Sequence, residues 1–131
     1  MVVKGSCSCE KVQYVILGAL HDASSCHCSM CRKSSGSSST AFALFPQGTF
    51  SWVSGTENLS HYQSSEDMGS FFCKSCGSPL AGDYKGEVGW VTLGSVDGDP
   101  DIIVEKHIFM GSKASWETNF EQVAQYIEFP D

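Results

Sequence analysis

The chain has 131 residues, 41% hydrophobic and only 18% charged, so a single domain over 1–131 with a buried core is expected and disorder is not. Its formal net charge is −7, from 8 Lys and Arg against 15 Asp and Glu, and Arg32 is the only arginine. That balance argues against the basic face that duplex nucleic acid or an anionic membrane surface calls for.

No apolar run is long enough to span a bilayer, and residues 1–5 carry no apolar stretch of the kind a secretory signal needs. A soluble, cytoplasmic protein with no membrane partner is expected. In chain order, the first feature is Cys7-Ser8-Cys9, followed by a strand-like run over 11–17. Cys26-His27-Cys28-Ser29-Met30-Cys31 comes next, with a helical turn after Cys31 and a Ser-rich stretch over 34–40 that reads as a loop. Strands are expected over 40–45, 49–53, 59–63 and 70–73, the last running into Cys73-Lys74-Ser75-Cys76. Further strands are expected over 88–93 and 102–107, and a helix over 119–126. Most of these runs are short and rich in β-branched or aromatic residues, so the expected fold class is all-β, with several short sheets and little helix.

Seven cysteines in clusters decide the chemistry. Seven is odd, and nothing in the sequence points to an oxidising compartment, which argues against a disulfide framework. C-x-C and C-x-x-C turns send their sulfurs toward one point, which is what a metal needs. The seven divide into four and three. Cys7, Cys9, Cys73 and Cys76 can close a tetrahedral, structural site from two distant segments. Cys26, Cys28 and Cys31 supply three ligands from one loop and leave a position open, the arrangement zinc uses for chemistry. Other groupings, including one that uses His27 or His107, remain open at this point. Zinc is favoured over iron–sulfur or copper because the spacing matches no cluster run. Filling both sites would make the chain more acidic still, since seven thiolates outweigh two divalent ions.

The clusters and their neighbours resemble the glutathione-dependent formaldehyde-activating enzyme family, which includes the centromere protein V type of domain. The resemblance is carried by Gly5-Ser6-Cys7-Ser8-Cys9 with Val12 and Tyr14, by Cys26 to Lys33 with Gly36-Ser37, and by Phe72-Cys73-Lys74-Ser75-Cys76-Gly77-Ser78-Pro79-Leu80. Gly94-Ser95-Val96-Asp97, His107-Ile108, Lys113 and Trp116 match more weakly. It implies a β-tent of short antiparallel sheets with zinc-stapled hairpins. It implies a structural zinc on Cys7, Cys9, Cys73 and Cys76 and a catalytic zinc on Cys26, Cys28 and Cys31. The implied activity is that of a carbon–sulfur lyase joining glutathione and formaldehyde to S-hydroxymethylglutathione. Glu10 stands where the family often has Gly, and Ser70 and Phe71 stand where a basic residue often precedes the Phe-Cys. Neither departure removes a ligand.

Three thiolates on one divalent zinc leave a site of net negative charge, better suited to deprotonating another thiol than to polarising a carbonyl. Arg32 and Lys33 adjoin the triplet and could hold a substrate carboxylate, and the hydroxyls of Ser34, Ser35 and Ser37 could donate hydrogen bonds. Two other functions compete: a non-catalytic zinc module presenting a surface to a protein partner, and a zinc hydrolase acting on another thiol derivative. His27 reads as a loop side chain, His107 as a strand residue, and His21 and His61 as surface. Trp52, Trp90 and Trp116 read as core, and the acidic residues as a solubilising surface.

Overall fold

Burial alternates along the first two strands, as a half-buried sheet requires. In β1 (Val3–Ser6) and β2 (Gln13–Ile16), Val3, Gly5, Tyr14 and Ile16 turn inward. The computed structural model describes residues 1–130. After this hairpin come β3 (His21–Cys26), α1 (Ser29–Ser35), the one α-helix among the described residues, β4 (Thr40–Leu44) and β5 (Phe50–Ser54). The chain continues through β6 (Leu59–Gln63), β7 (Met68–Cys73), β8 (Pro79–Tyr84), β9 (Glu87–Thr92) and β10 (Lys106–Ile108). No helix among the described residues is long and apolar enough to cross a membrane.

Two sheets form. The small one has the order β1-β2-β5; the large one has the order β10-β3-β4-β9-β8-β7-β6. All pairs are antiparallel except β10 against β3. Val3, Val12, Tyr14 and Ile16 pack between the sheets against Ala43, Leu80, Ala81 and Val91. An aromatic line joins the layers. Phe50 of β5 stacks on Tyr14 with centroids 5.3 Å apart and on Phe45 at 5.6 Å, while Trp52 of β5 meets Phe71 of β7 edge-on at 5.6 Å. Gly5 and Gly82 pair with Tyr14 and Trp90 across their ladders, and a Cβ on either would collide with the partner ring.

The expected all-β class with little helix holds. Three strands carried no clear signal: β1, β3 and β8. Of the run 102–107, only Lys106 and His107 enter a strand, β10, which extends to Ile108 and runs parallel to β3. Residues 119–126 do not form a helix; only Phe120–Gln122 makes a 3-10 turn. The apolar side chains there find no surface, with Phe120 68% and Ile127 105% exposed, and a short helix with no buried face is not stable.

Candidate metal centres

Cys7 and Cys9 lie in the turn that follows β1, while Cys73 ends β7 and Cys76 lies in the turn after it. The four sulfurs lie within 4.8 Å of one another, with Cys7 to Cys9 at 3.6 Å and Cys9 to Cys73 at 3.7 Å. Tetrahedral ligands at a zinc–sulfur distance of about 2.3 Å are about 3.8 Å apart, so the set fits that ion. All seven cysteines are free thiols.

Backbone and side-chain donors converge on these sulfurs. The Val12 N–H donates to Cys7 Sγ at 3.3 Å, and Asn58 Nδ2 donates to Cys73 Sγ at 3.5 Å. The Ser8 N–H donates to Ser78 Oγ at 2.9 Å and clips one turn to the other. Gly77 donates its N–H to the Cys73 carbonyl at 2.7 Å with φ at +79°, a left-handed turn that returns Cys76 toward Cys73. Hydrogen bonds from the Ser78 hydroxyl and N–H bring the Cys76 thiol down to about 5. Cys73 is lowered as well: desolvation opposes this, but the N–H groups of Cys76 and Ser75 prevail. The Lys11 N–H favours the Cys9 thiolate, yet desolvation and the sulfurs of Cys7, Cys73 and Cys76 push it up to about 11. Sulfurs this close ionise at one another's expense unless a cation sits among them.

The second cluster spans one strand end and one helix start. Cys26 closes β3, Cys28 is the N-cap of α1, and Cys31 lies in its first turn. Their sulfurs lie within 4.8 Å of one another, and no fourth His, Cys, Asp or Glu joins them among the described residues. The Cys31 N–H donates to Cys28 Sγ at 3.3 Å, so one sulfur both caps the helix and faces the cluster. Cys28 is lowered: desolvation opposes, but the Cys31 N–H and the thiols of Cys31 and Cys26 outweigh it. Cys31 is raised above the ordinary thiol range by burial and by Cys26 and Cys28. The same argument for a cation applies. Both clusters can therefore hold a metal ion.

Around the triplet, Thr40 Oγ1 donates to the Cys31 carbonyl at 2.8 Å and Ser35 Oγ at 2.9 Å. Ser34 Oγ donates to it too, at 3.1 Å, so the hydroxyls of Ser34 and Ser35 brace the ligand loop. Ser37 is exposed and bonds through its N–H to the Arg32 carbonyl at 3.2 Å. Arg32 and Lys33 occupy the last turn of α1, where positive charge suits the carbonyl end, and Gly36 caps the helix with φ at +64°. Lys33 is exposed, whereas Arg32 Nε is buried with no hydrogen-bond partner.

His27 is 1% exposed, and its ring turns away from the sulfurs: Nε2 lies 2.9 Å from His107 Nδ1, and Nδ1 lies 3.1 Å from Glu117 Oε2. Neither His27 nor His107 belongs to a metal-competent cluster. Glu117 is a site neighbour that no sequence signal flags. His21 and His61 are both exposed, as expected, with His21 beside Asp22 and His61 Nε2 2.8 Å from Oδ1 of Asp83, which is 5% exposed. Trp52 packs on the core, while Trp116 is 64% exposed and not core.

Comparison with known proteins bears on the same residues. The family described as Glutathione-dependent formaldehyde-activating enzyme matches residues 2–112. A Halomonas elongata protein named "Putative glutathione-dependent formaldehyde-activating enzyme" is 28% identical over 145 residues, covering 100% of this chain and 90% of that one. The crystal structure of a Rhodobacter sphaeroides protein aligns with a TM-score of 0.59 and 27% identity, covering 79% of this chain and 98% of that one.

Proposed function

Because the chain belongs to the glutathione-dependent formaldehyde-activating enzyme family, we propose that it is a zinc-dependent carbon–sulfur lyase joining glutathione, or a similar thiol, to formaldehyde or another small aldehyde. The observation that carries this reading is the triplet Cys26, Cys28 and Cys31, three sulfurs gathered with no fourth protein ligand among the described residues while His27 is engaged elsewhere. On the same reading, Cys7, Cys9, Cys73 and Cys76 hold a structural zinc, residues 1–131 act as one cytoplasmic domain, and the architecture is a β-tent.

A zinc ion held by the triplet would favour the thiolate form of an incoming thiol. Cys26, Cys28 and Cys31 would hold that ion, and the hydroxyls of Ser34, Ser35 and Thr40 keep their loop in shape. Arg32, Lys33 and Ser37 lie on or just past α1 and would grip a substrate carboxylate. The addition balances between its two reactants. The thiol sulfur bonds to the aldehyde carbon, the carbonyl π pair moves to oxygen, and the proton lost by sulfur ends on that oxygen.

The test is to purify the protein, count its metal, and follow glutathione with formaldehyde by proton NMR at exchange equilibrium. Two zinc ions per chain and faster interconversion of the hemithioacetal support the reading. Full zinc with no acceleration over buffer overturns it. One observation favours a second reading, a non-catalytic module with a protein partner: Trp116, Phe120, Ile127 and Phe129 are all more than half exposed.

A further inference from the structure

Past Glu117 the chain makes an arm: every residue of 118–130 is exposed. Trp116, Phe120, Val123, Tyr126, Ile127 and Phe129 are all at least half exposed. Their spacing is ordered. On a helix, Phe120, Val123, Ala124 and Ile127, at i, i+3, i+4 and i+7, would share one stripe, and Glu121, Gln125 and Glu128 would lie off it. The start of such a helix is already marked, because Asn119 Oδ1 accepts the Glu121 N–H at 3.0 Å and the 3-10 turn Phe120–Gln122 follows. Pro130 ends the stretch. This is the pattern of a segment that turns helical when a groove receives its stripe.

The large sheet leaves a matching surface open. In its register Leu44 lies opposite Trp90, Trp90 opposite Gly82, Gly82 opposite Ser70 and Ser70 opposite Tyr62, so the five share one face. That face points away from the core, since the alternate positions Ala43, Val91 and Ala81 pack between the sheets. An antiparallel sheet with one wet face ordinarily puts polar side chains there. Here Leu44 and Trp90 are only half-buried, Tyr62 is exposed, and no charge interrupts the row on a chain of net charge −7. The Trp90 ring lies over Gly82, where a Cβ would collide with it, and Ser70 is small, so the row dips between Trp90 and Tyr62.

We propose that residues 120–128 dock as a helix on this face of a second copy of the chain, each copy lending its arm to the other. Within one copy the arm and the face stay apart, both open to solvent. A twofold pair uses each surface once per copy and leaves none over. The four aromatic side chains of the arm, with Val123 and Ile127, offer on the order of 800 Å² of apolar surface, as much as one partner of a stable interface buries. Burying the stripe also supplies what the isolated segment lacks, since a short helix is held by packing and not by propensity. Glu121 and Glu128 stay on the wet side. The arm lies beyond the stretch 2–112 matched by the family, and the pairing does not depend on the chemistry at the cysteines.

The experiment is sedimentation equilibrium of the full-length, zinc-loaded protein at micromolar concentrations, with Cα chemical shifts read over 120–128. Wild type is expected at the mass of two 14.2 kDa chains, with helical shifts in the arm. Val123→Glu with Ile127→Glu, in a segment exposed throughout, should raise the dissociation constant by at least about 30-fold and abolish those shifts, with zinc content kept. Ser70→Arg should do the same from the other side. Tyr62→Arg, at an exposed position of the edge strand β6, repeats the test where Ser70→Arg does not fold. A monomeric wild type overturns the inference, whether its arm stays open or folds on its own sheet. A dimer that survives the arm substitutions overturns it too, because another surface then joins the copies. A dimer lost with the arm but kept in both face variants seats the arm elsewhere and overturns the docking face.

Discussion

The sulfurs of Cys9 and Cys73 are 3.7 Å apart although 64 positions separate them. One follows the edge strand of the small sheet and the other ends a strand of the large sheet, so a metal between them would tie the two layers together. Cys73 is fully buried. Cys73→Ser should lose one metal per chain and about 4 kcal/mol or more of stability, the scale of losing a structural ion. Metal analysis and thermal melting check this together. Unchanged metal and melting would refute a structural site.

Cys28→Ser should behave oppositely. Serine is a good helix N-cap and can accept the Cys31 N–H in place of the sulfur, so α1 keeps its start. The triplet nevertheless loses a ligand. Expected are the loss of the other metal ion and of thiol–aldehyde activity, with stability within about 1 kcal/mol of wild type. A melt as damaging as that of Cys73→Ser would make both centres structural.

Glu10 has φ at +65°, a left-handed conformation that costs a residue with a Cβ about 1–2 kcal/mol. Here the sequence departs from the glycine common in the family, and the backbone gives the physical reason for that glycine. Glycine's greater freedom in the unfolded chain offsets part of the gain. Glu10→Gly should therefore stabilise by about 0.5–1 kcal/mol, where most substitutions destabilise, as read by denaturant unfolding with both metals bound. Destabilisation would mean that the Glu10 side chain contributes more than the strain removes.

The cysteines were the legible part of the site, because thiol spacing alone forces sulfurs together. The fold was legible where strands carry β-branched or aromatic residues, as in β5, β6 and β9. It was not legible in β3, whose Ala-Ser-Ser-Cys is buried only because it lies between β10 and β4. β8 hides likewise behind Pro79, Gly82 and Asp83, of which Asp83 is made acceptable by His61 across the sheet. Residues 119–126 mislead in the other direction: their spacing is helical, but no surface receives it. Glu117 was invisible because what places it near the site is a histidine 90 positions earlier in the chain.

Tyr14 predicts the alkaline limit. It is 1% exposed, its hydroxyl lies 2.8 Å from Ser95 Oγ, and burial pushes its pKa from 10 up to about 12 against the effect of that hydrogen bond. The folded state thus keeps a proton that the unfolded state gives up first. Its contribution is fully present below pH 10 and is lost as pH rises toward 12, by up to about 3 kcal/mol. Tyr14→Phe should be less stable at neutral pH by about 1 kcal/mol, with a shallower decline above pH 10. Parallel declines in the two proteins would show that other groups set the limit.

Arg32 tests the substrate half of the proposal. Its Nε is buried and out of reach, so a substrate carboxylate would have to meet the terminal Nη groups of this half-buried side chain. Lys33, adjacent and exposed, is an ordinary solvated charge at the carbonyl end of α1. If Arg32 grips the carboxylate of glutathione, Arg32→Ala should raise KM by about 10- to 100-fold at nearly constant kcat, the scale of one hydrogen bond to a charged group. Lys33→Ala should change it little. A thiol with no carboxylate supplies the control: the arginine has nothing to hold, so wild type and Arg32→Ala should use it equally well. An equal penalty for both thiols would make Arg32 a support of the cysteine loop and remove the chain's only arginine from substrate recognition.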